Sequence, residues 1–374
     1  MNEQVIYAIA LSKSLPMDFV AQRVLLERFG SAKGVYEHRH NLLDDDDDGK
    51  AATGALAKAV AQMERYLEEA REELRWARDF GVDCLTLDDS RYPRRLRECP
   101  DAPAVLYRLG GADLNAERVV SVVGTRQCTE YGRTFCRRLM ADLARLCPGT
   151  LVVSGLAYGI DVAAHLMALE CGLPTVGVLA HGMERIYPSE HRDVANRMLR
   201  DGGGLVTEHT HGSRIGKINF VSRNRIVAGM ADAVIVVESK RKGGSLITAR
   251  LANEYNREVM AVPGRAFDER SEGCNNLIRD NKAHLIDSAE DLISVMGWAA
   301  PENAGEPQQR ELFPPLSEEE QKVVLRLRED YEGKDLNQLA IATDIPMVQL
   351  VSVLFDLVEK GIIHQISGGR YAML

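Results

Sequence analysis

Residues 151–165 read LVVSGLAYGIDVAAH, and the fold follows from them. Leu151, Val152 and Val153 form a short apolar run with β preference, and Ser154 and Gly155 supply a turn where a ligand can approach without meeting a Cβ. From Gly159 the period changes. Ile160, Ala163, Ala164 and Met167 recur at helical intervals, which predicts a helix whose free N–H groups face the turn. Strand, glycine turn and helix N-terminus together aim several donors and the positive end of a helix dipole at one point, which is chemically an anion seat. The same turn also occurs where only close packing is needed, so both roles stand open for it.

Working outward, strands and helices alternate. Val119–Val123 reads as a strand ending in Gly124-Thr125-Arg126, with a helix to about Leu146. Strands follow at Thr175–Ala180, Leu205–Glu208, Ala233–Glu238 and Val259–Pro263, with helices at Ser189–Arg200 and Ser245–Asn256. Continuous apolar strands separated by amphipathic helices predict an α/β fold, a parallel sheet covered on both faces, with ligands at the carboxyl ends of its strands.

The flanks differ. Up to about residue 78 apolar positions such as Val20, Val24 and Leu25, then Leu56, Val60, Met63 and Leu67, recur at three and four, predicting helices with a break at Gly30. The run Asp44–Asp48 reads as a solvated loop, since calcium loops interleave their carboxylates with a turn glycine. A connector, residues 76–110, carries Pro93, Pro100 and Pro103 and a basic patch of Arg91, Arg94, Arg95 and Arg97. Residues 301–315 (PENAGEPQQRELFPP) read as a linker. Beyond it come a helix capped by Ser317, helices at Leu336–Ala342 and Met347–Lys360, and a hairpin over Ile362–Tyr371 turning at Gly368-Gly369, the pattern of a winged helix. Its third helix has no row of Arg, Asn or Gln and carries Asp356 and Glu359, so a protein-binding or regulatory role fits at least as well as DNA reading.

Composition narrows the class. The 374 residues are 45% hydrophobic and 27% charged, as in an ordinary globular protein. No apolar run is long enough to span a bilayer and the first residues lack a signal-peptide pattern, so a cytoplasmic protein without membrane insertion is expected. The seven cysteines lack C-x-x-C spacing and are expected reduced. The histidines lack ligand spacing, so no metal is expected, and SGLAYG is not a dinucleotide fingerprint, so no cofactor is expected. The formal charge is −9, but residues 81–315 carry only −1 of it. The centre can therefore hold a basic pocket.

Chemistry converges on three predicted strand ends: Gly124-Thr125-Arg126, Ser154-Gly155, and Lys240-Arg241-Lys242-Gly243-Gly244-Ser245. One phosphate needs one such turn, and three point to an extended polyanion. The segment 210–225, THGSRIGKINFVSRNR, has Arg214, Lys217, Arg223 and Arg225, no acid, and Phe220 among them. Cations beside an aromatic that can stack on a base are a single-strand recipe. The alternative is that Phe220 is core and the arginines pair with acids elsewhere. A Ser154, Asp161, His165 triad fits poorly, because a valine stands two residues before Ser154, where a nucleophile elbow needs glycine.

These residues resemble the DprA family, also called Smf, over nearly the whole length. The pieces occur in order: RYPRRLRECPDAPAVLY, VVSVVGTR, VVSGLAYGIDVAAH, RIYPSEH, NFVSRNRIVAG, VVES, GGSLITARLANEYNREVMAVPG and GCNNLI. The resemblance implies a helical SAM-like domain (1–78), an extended Rossmann domain (79–300), the linker (301–315) and a winged-helix domain (316–374). It implies binding of incoming single-stranded DNA, help in displacing single-strand-binding protein, and loading of RecA recombinase during natural transformation, by a homodimer without catalysis. The family's basic pocket falls on Arg126, on Lys217 and Phe220, and on Arg223-Asn224-Arg225. The Ser154-Gly155 and Gly244-Ser245 turns would supply backbone donors to phosphate oxygens, and Gly124, Thr125, Lys240, Lys242 and Gly243 are expected among the DNA-binding residues. Two departures stand out: Gly243 where serine is common, and Asn281-Lys282 in place of a glycine-alanine pair. The rival is a Rossmann-type nucleoside monophosphate hydrolase, which uses a P-G-G-x-G-T loop where this chain has KGGS.

Overall fold

The computed structural model describes residues 3–40, 54–298, 316–328, 333–366 and 369–373. These fall into two compact units, Met1–Pro301 and Glu302–Leu374. The acidic run Asp44–Asp48 and the linker 301–315 lie outside the described residues.

The first unit is built on nine strands: β1 (Asp83–Thr86), β2 (Val105–Gly110), β3 (Val119–Val123), β4 (Leu151–Ser154), β5 (Thr175–Val178), β6 (Gly204–Thr207), β7 (Ala233–Val236), β8 (Glu258–Ala261) and β9 (His284–Leu285). Their order is β1-β2-β6-β5-β4-β3-β7-β8-β9. From β6 to β9 every pair is parallel, with Val119 opposite Leu151 and Val120 opposite Ala233. The five central strands β3 to β7 are buried throughout, as a sheet covered on both faces requires. Alternate residues serve opposite layers: Val119, Val123 and Val153 join one core with Leu96, Ile226 and Met230, while Val120, Val122 and Val152 join another with Met140, Leu143 and Ile160. Strand order reverses between β3 and β7, so a crevice opens outside their carboxyl ends.

The connector turns out to be structural. Its segments form β1 and β2, which pair with each other, and β2 pairs with β6, all in antiparallel fashion, extending the sheet. Its basic patch is largely consumed. Arg91 pairs with Asp83 and Asp89, and the buried Arg95 makes a bidentate pair with Asp232 at 2.6 and 2.8 Å. Asp232 Oδ2 also accepts the N–H of Val119, fixing the start of β3.

The N-terminal helices Glu3–Ser14, Phe19–Phe29, Ala32–Glu37, Gly54–Ala61 and Leu67–Asp79 pack together and against β1 and β2. Phe19–Phe29 ends at Gly30, which adopts a left-handed φ of 70°, and Ser31 caps the next helix through Gly34 N–H. Val20 and Val24, two of the apolar positions whose spacing predicts this helix, are exposed; the helix buries Gln22 and Leu25.

The second unit comprises helices Glu318–Arg328, Leu336–Thr343 and Met347–Glu359 with strands Lys334–Asp335, Ile363–Ile366 and Arg370–Met373. Gly368 of the expected turn lies outside the described residues. Val348, Val351 and Phe355 of its third helix are exposed. Among the described residues no single helix is long and apolar enough to cross a membrane.

Truncating one partner of a buried ion pair strands the other, so Arg95→Ala is expected to cost about 3–5 kcal/mol. Arg91→Ala, at an exposed pair, should cost under about 1 kcal/mol. Urea titrations of the two variants check this ranking, and equal losses would contradict it.

Candidate nucleic-acid interface

Glycine is required at Gly124 because a Cβ there would lie 2.5 Å from Ile160 Cγ1. The turn's backbone then joins three elements: Thr125 N–H donates to Glu238 O at 2.8 Å, and Thr125 O accepts Ile160 N–H at 3.2 Å. What the turn projects is Arg126. Its guanidinium carbon lies 5.6 Å from the Phe220 ring centroid, and among the described residues it faces no carboxylate within ion-pair distance. Tyr187, 47% exposed, sits 5.7 Å from Phe220, making a two-ring aromatic face beside a free cation.

Phe220 belongs to the helix Lys217–Gly229, which arises inside the acid-free segment. Helical period puts Lys217, Phe220 and Asn224 on one face. Lys217, the first helical residue, is exposed. Phe220 and Asn224 line a cleft of about 300 Å³ with Gly124, Thr125, Arg126 and the segment Lys240, Lys242 to Ser245. Gly243 packs so closely that a Cβ would meet Ser239 Oγ at 2.1 Å, whereas beside Gly244 there is open space. Ser245 Oγ donates to Ser239 Oγ at 3.0 Å. Gly244 therefore leads the helix Ser245–Glu254 with its backbone facing the cleft. Lys240 pairs with Glu269 at 3.0 Å, and Lys242 has no ion-pair partner among the described residues.

The seat at Gly155 is filled from within. Its N–H donates to Asp161 Oδ2 at 3.1 Å, and Ala157 N–H donates to the same carboxylate. Ser154 is buried, its Oγ donating to Val122 O at 2.6 Å. Below the turn lies the buried Arg223, whose Nη1 donates to the carbonyls of Gly155 and Val178. A Cβ on Gly155 would stand 2.2 Å from that Nη1. Burial pushes the Asp161 carboxyl up, while Arg223 and the two N–H groups oppose it. Glu238 acts likewise at the end of β7, accepting the N–H and hydroxyl of Thr129, at 2.8 and 2.5 Å, at the N-terminus of the helix Glu130–Leu146.

Residues 83–297, more than half the chain, match the family model of DNA recombination-mediator protein A. The chain belongs to the DprA/Smf family. It is 38% identical over 236 residues to DNA processing protein DprA of Bacillus subtilis, covering 63% of this chain and 78% of that protein. It is also 38% identical over 237 residues to protein Smf of a Synechocystis strain, covering 62% of this chain; the match spans only 57% of that relative's length. The crystal structure of DprA from Streptococcus pneumoniae superposes with a TM-score of 0.64 at 29% identity, covering 77% of this chain and 97% of that one. DNA processing protein A from Helicobacter pylori, solved for its single-stranded DNA binding mode, gives a TM-score of 0.51 at 28% identity, covering 57% and 95%.

Set against what the DprA resemblance implied, the residues divide. Gly124, Thr125, Arg126, Phe220, Asn224, Lys240, Lys242, Gly243, Gly244 and Ser245 line one cleft, and Lys217 shares the face of Phe220 and Asn224. Four residues are held in ways the resemblance did not imply. Ser154 and Gly155 do not offer donors to a ligand, because Val122 and Asp161 take them. Arg223 lines the cleft floor and turns Nη1 to the carbonyls of Gly155 and Val178. Arg225 is turned away: it pairs with Glu208, donates to Asp101 O, and stacks at 3.6 Å over Phe19. Consecutive helical residues diverge by about 100°, so a triplet cannot share one face. Tyr187 was missed, since a lone tyrosine in RIYPSEH carries no periodic signal.

The hydrolytic triad also dissolves. Thr175 Oγ1 donates to Val152 O and so receives its bond from His165 Nδ1–H, at 2.7 Å. Burial holds the His165 imidazole down to about 3. Unfolded, it would take up a proton near pH 6.5, so between about 6.5 and 3 the unfolded chain binds more protons and stability falls as pH falls. His165→Asn keeps a donor for Thr175 but does not titrate. Between pH 6 and 5 the wild type is expected to lose about 1 kcal/mol more than this variant in urea titrations; parallel losses would contradict a buried neutral His165.

Proposed function

We propose that this chain is a single-stranded-DNA-binding recombination mediator. The observation that carries the reading is the cationic, aromatic cleft: Arg126 over Phe220, Lys217 one turn away, Lys242 in the lining, and the backbone of Gly244 at a helix start. Its one lining acid, Asp161, is turned inward to N–H groups and neutralised by Arg223. A flexible polyphosphate with bases that stack on Phe220 and Tyr187 fits this arrangement, whereas a duplex, with its bases stacked inside, would leave the rings unused. The Helicobacter pylori relative, which binds single-stranded DNA, supports the same reading.

From family membership we extend the role to displacing single-strand-binding protein and loading RecA recombinase during natural transformation, by a cytoplasmic homodimer whose function is binding rather than catalysis. The three helices and small sheet of the second unit fit a winged helix. The exposed Val348, Val351 and Phe355 on its third helix favour a protein contact over base reading.

The test is fluorescence anisotropy of labelled oligothymidylate across salt concentrations. Arg126→Glu and Lys217→Glu are each expected to weaken binding at least about tenfold and to reduce the log–log salt slope by about 0.7 per cation removed. Phe220→Ala should cost about 1–3 kcal/mol with the slope unchanged. Wild-type affinity in Arg126→Glu and Lys217→Glu would remove the cleft from the account.

A further inference from the structure

The helix Lys217–Gly229 presents its DNA face from its first turn, so the loop before it decides where Lys217 points. That loop is held by the N-terminal helices. His211 donates its backbone N–H to Glu73 Oε1 at 2.9 Å and its Nδ1–H to Glu73 Oε2. Its imidazole also stacks on Trp76, centroids 4.9 Å apart and planes 12° from parallel, and Trp76 stacks in turn on Phe80 at 5.0 Å. Glu73 and Trp76 lie three apart on the helix Leu67–Asp79, so one helical face grips the ring by edge and by plane. Glu73 is only 2% exposed, whereas His211 is 40% exposed.

Between His211 and Lys217 the loop has little slack. The Thr210 and Ser213 hydroxyls bond at 3.2 Å, Asn219 Nδ2 donates to Arg214 O at 3.1 Å, and Asn219 N–H donates to Gly216 O at 3.1 Å. A second hold acts on the helix itself, where Arg225 stacks over Phe19 of another N-terminal helix. The DNA-facing helix is thus tied to the N-terminal helices both before its first residue and along its length.

We infer that Glu73 and Trp76 are positioning residues for DNA binding: by clamping His211 they fix the loop that aims Lys217 at the cleft. This assigns the N-terminal helices a part in the site although none of their residues lines the cleft. Burial pushes the Glu73 carboxyl up and the bonds from His211 draw it back, so the acid gains from the clamp as the loop does. The inference rests on the reading of the cleft as a single-strand site.

The test uses the full chain, labelled oligothymidylate and a salt series. His211→Ala, which leaves the buried Glu73 without its side-chain partner, is expected to lower the urea midpoint and, measured where the variant is still fully folded, to bind about fivefold more weakly. Its salt slope should fall by the share of one cation, about 0.7, and it should add nothing in a Lys217→Ala background, since its effect runs through that lysine. His211→Asn, whose amide nitrogen takes the place of Nδ1, should restore most of the affinity. Glu73→Leu, which removes both acceptors at similar volume, should show the same fall in affinity and slope. A wild-type slope in His211→Ala, or losses that add fully to those of Lys217→Ala, would overturn the clamp. If Lys217→Ala itself binds with wild-type affinity and slope, the site reading fails instead, so the two failures are distinguishable.

Discussion

The arrangement on which the rest depends is the stack of Arg223, Gly155 and Asp161 at the end of β4. The guanidinium lies against a residue with no side chain and holds two carbonyls. The carboxylate above it takes the N–H groups that a parallel α/β turn would otherwise offer to a ligand. A buried charge without compensation costs several kcal/mol, and here each charge is answered by backbone dipoles and by the other. Because Gly155 admits the arginine, the helix Lys217–Gly229 can cross the carboxyl edge of the sheet and bring Phe220 to Arg126.

Internal acids therefore shape the outer field. Asp161 and Glu238 each occupy a position at a strand end where an anion would be welcome, and Glu208 cancels Arg225. What remains outward is Arg126, Lys217, Lys242 and the start of the helix Ser245–Glu254. Among the described residues unpaired positive charge is thereby gathered at one crevice, at the point where strand order reverses, on a chain whose net charge is −9.

Much of this was legible in the residues. Val119–Val123, Leu151–Ser154 and Ala233–Val236 announced themselves as buried parallel strands because both their faces are apolar, and Gly30 marked a helix break. The cleft lining was legible wherever a turn carries its own signal, as at Gly124 to Arg126 and Gly243 to Ser245. What stayed hidden depended on direction or on distant partners. Read linearly, 210–225 is a row of cations; coiled into a helix, it sends Arg223 under a turn and Arg225 to Glu208 and Phe19. The seat at Gly155 looked open because nothing local says that a carboxylate six residues on will fold back into it. The antiparallel edge of β1 and β2 was obscured by Pro93, Pro100 and Pro103, which lie between the two strands and in the turn leading into the second.

The central claim, that the chain's own Asp161 holds the seat at Gly155 and leaves phosphate to the Arg126 rim, is tested most directly by a crystal structure with bound oligothymidylate. The account predicts phosphate oxygens on Arg126, Lys217 and the Gly244 backbone, a base against Phe220, and Asp161 still accepting from Gly155. A phosphate seated on the Gly155 N–H with Asp161 displaced would contradict it.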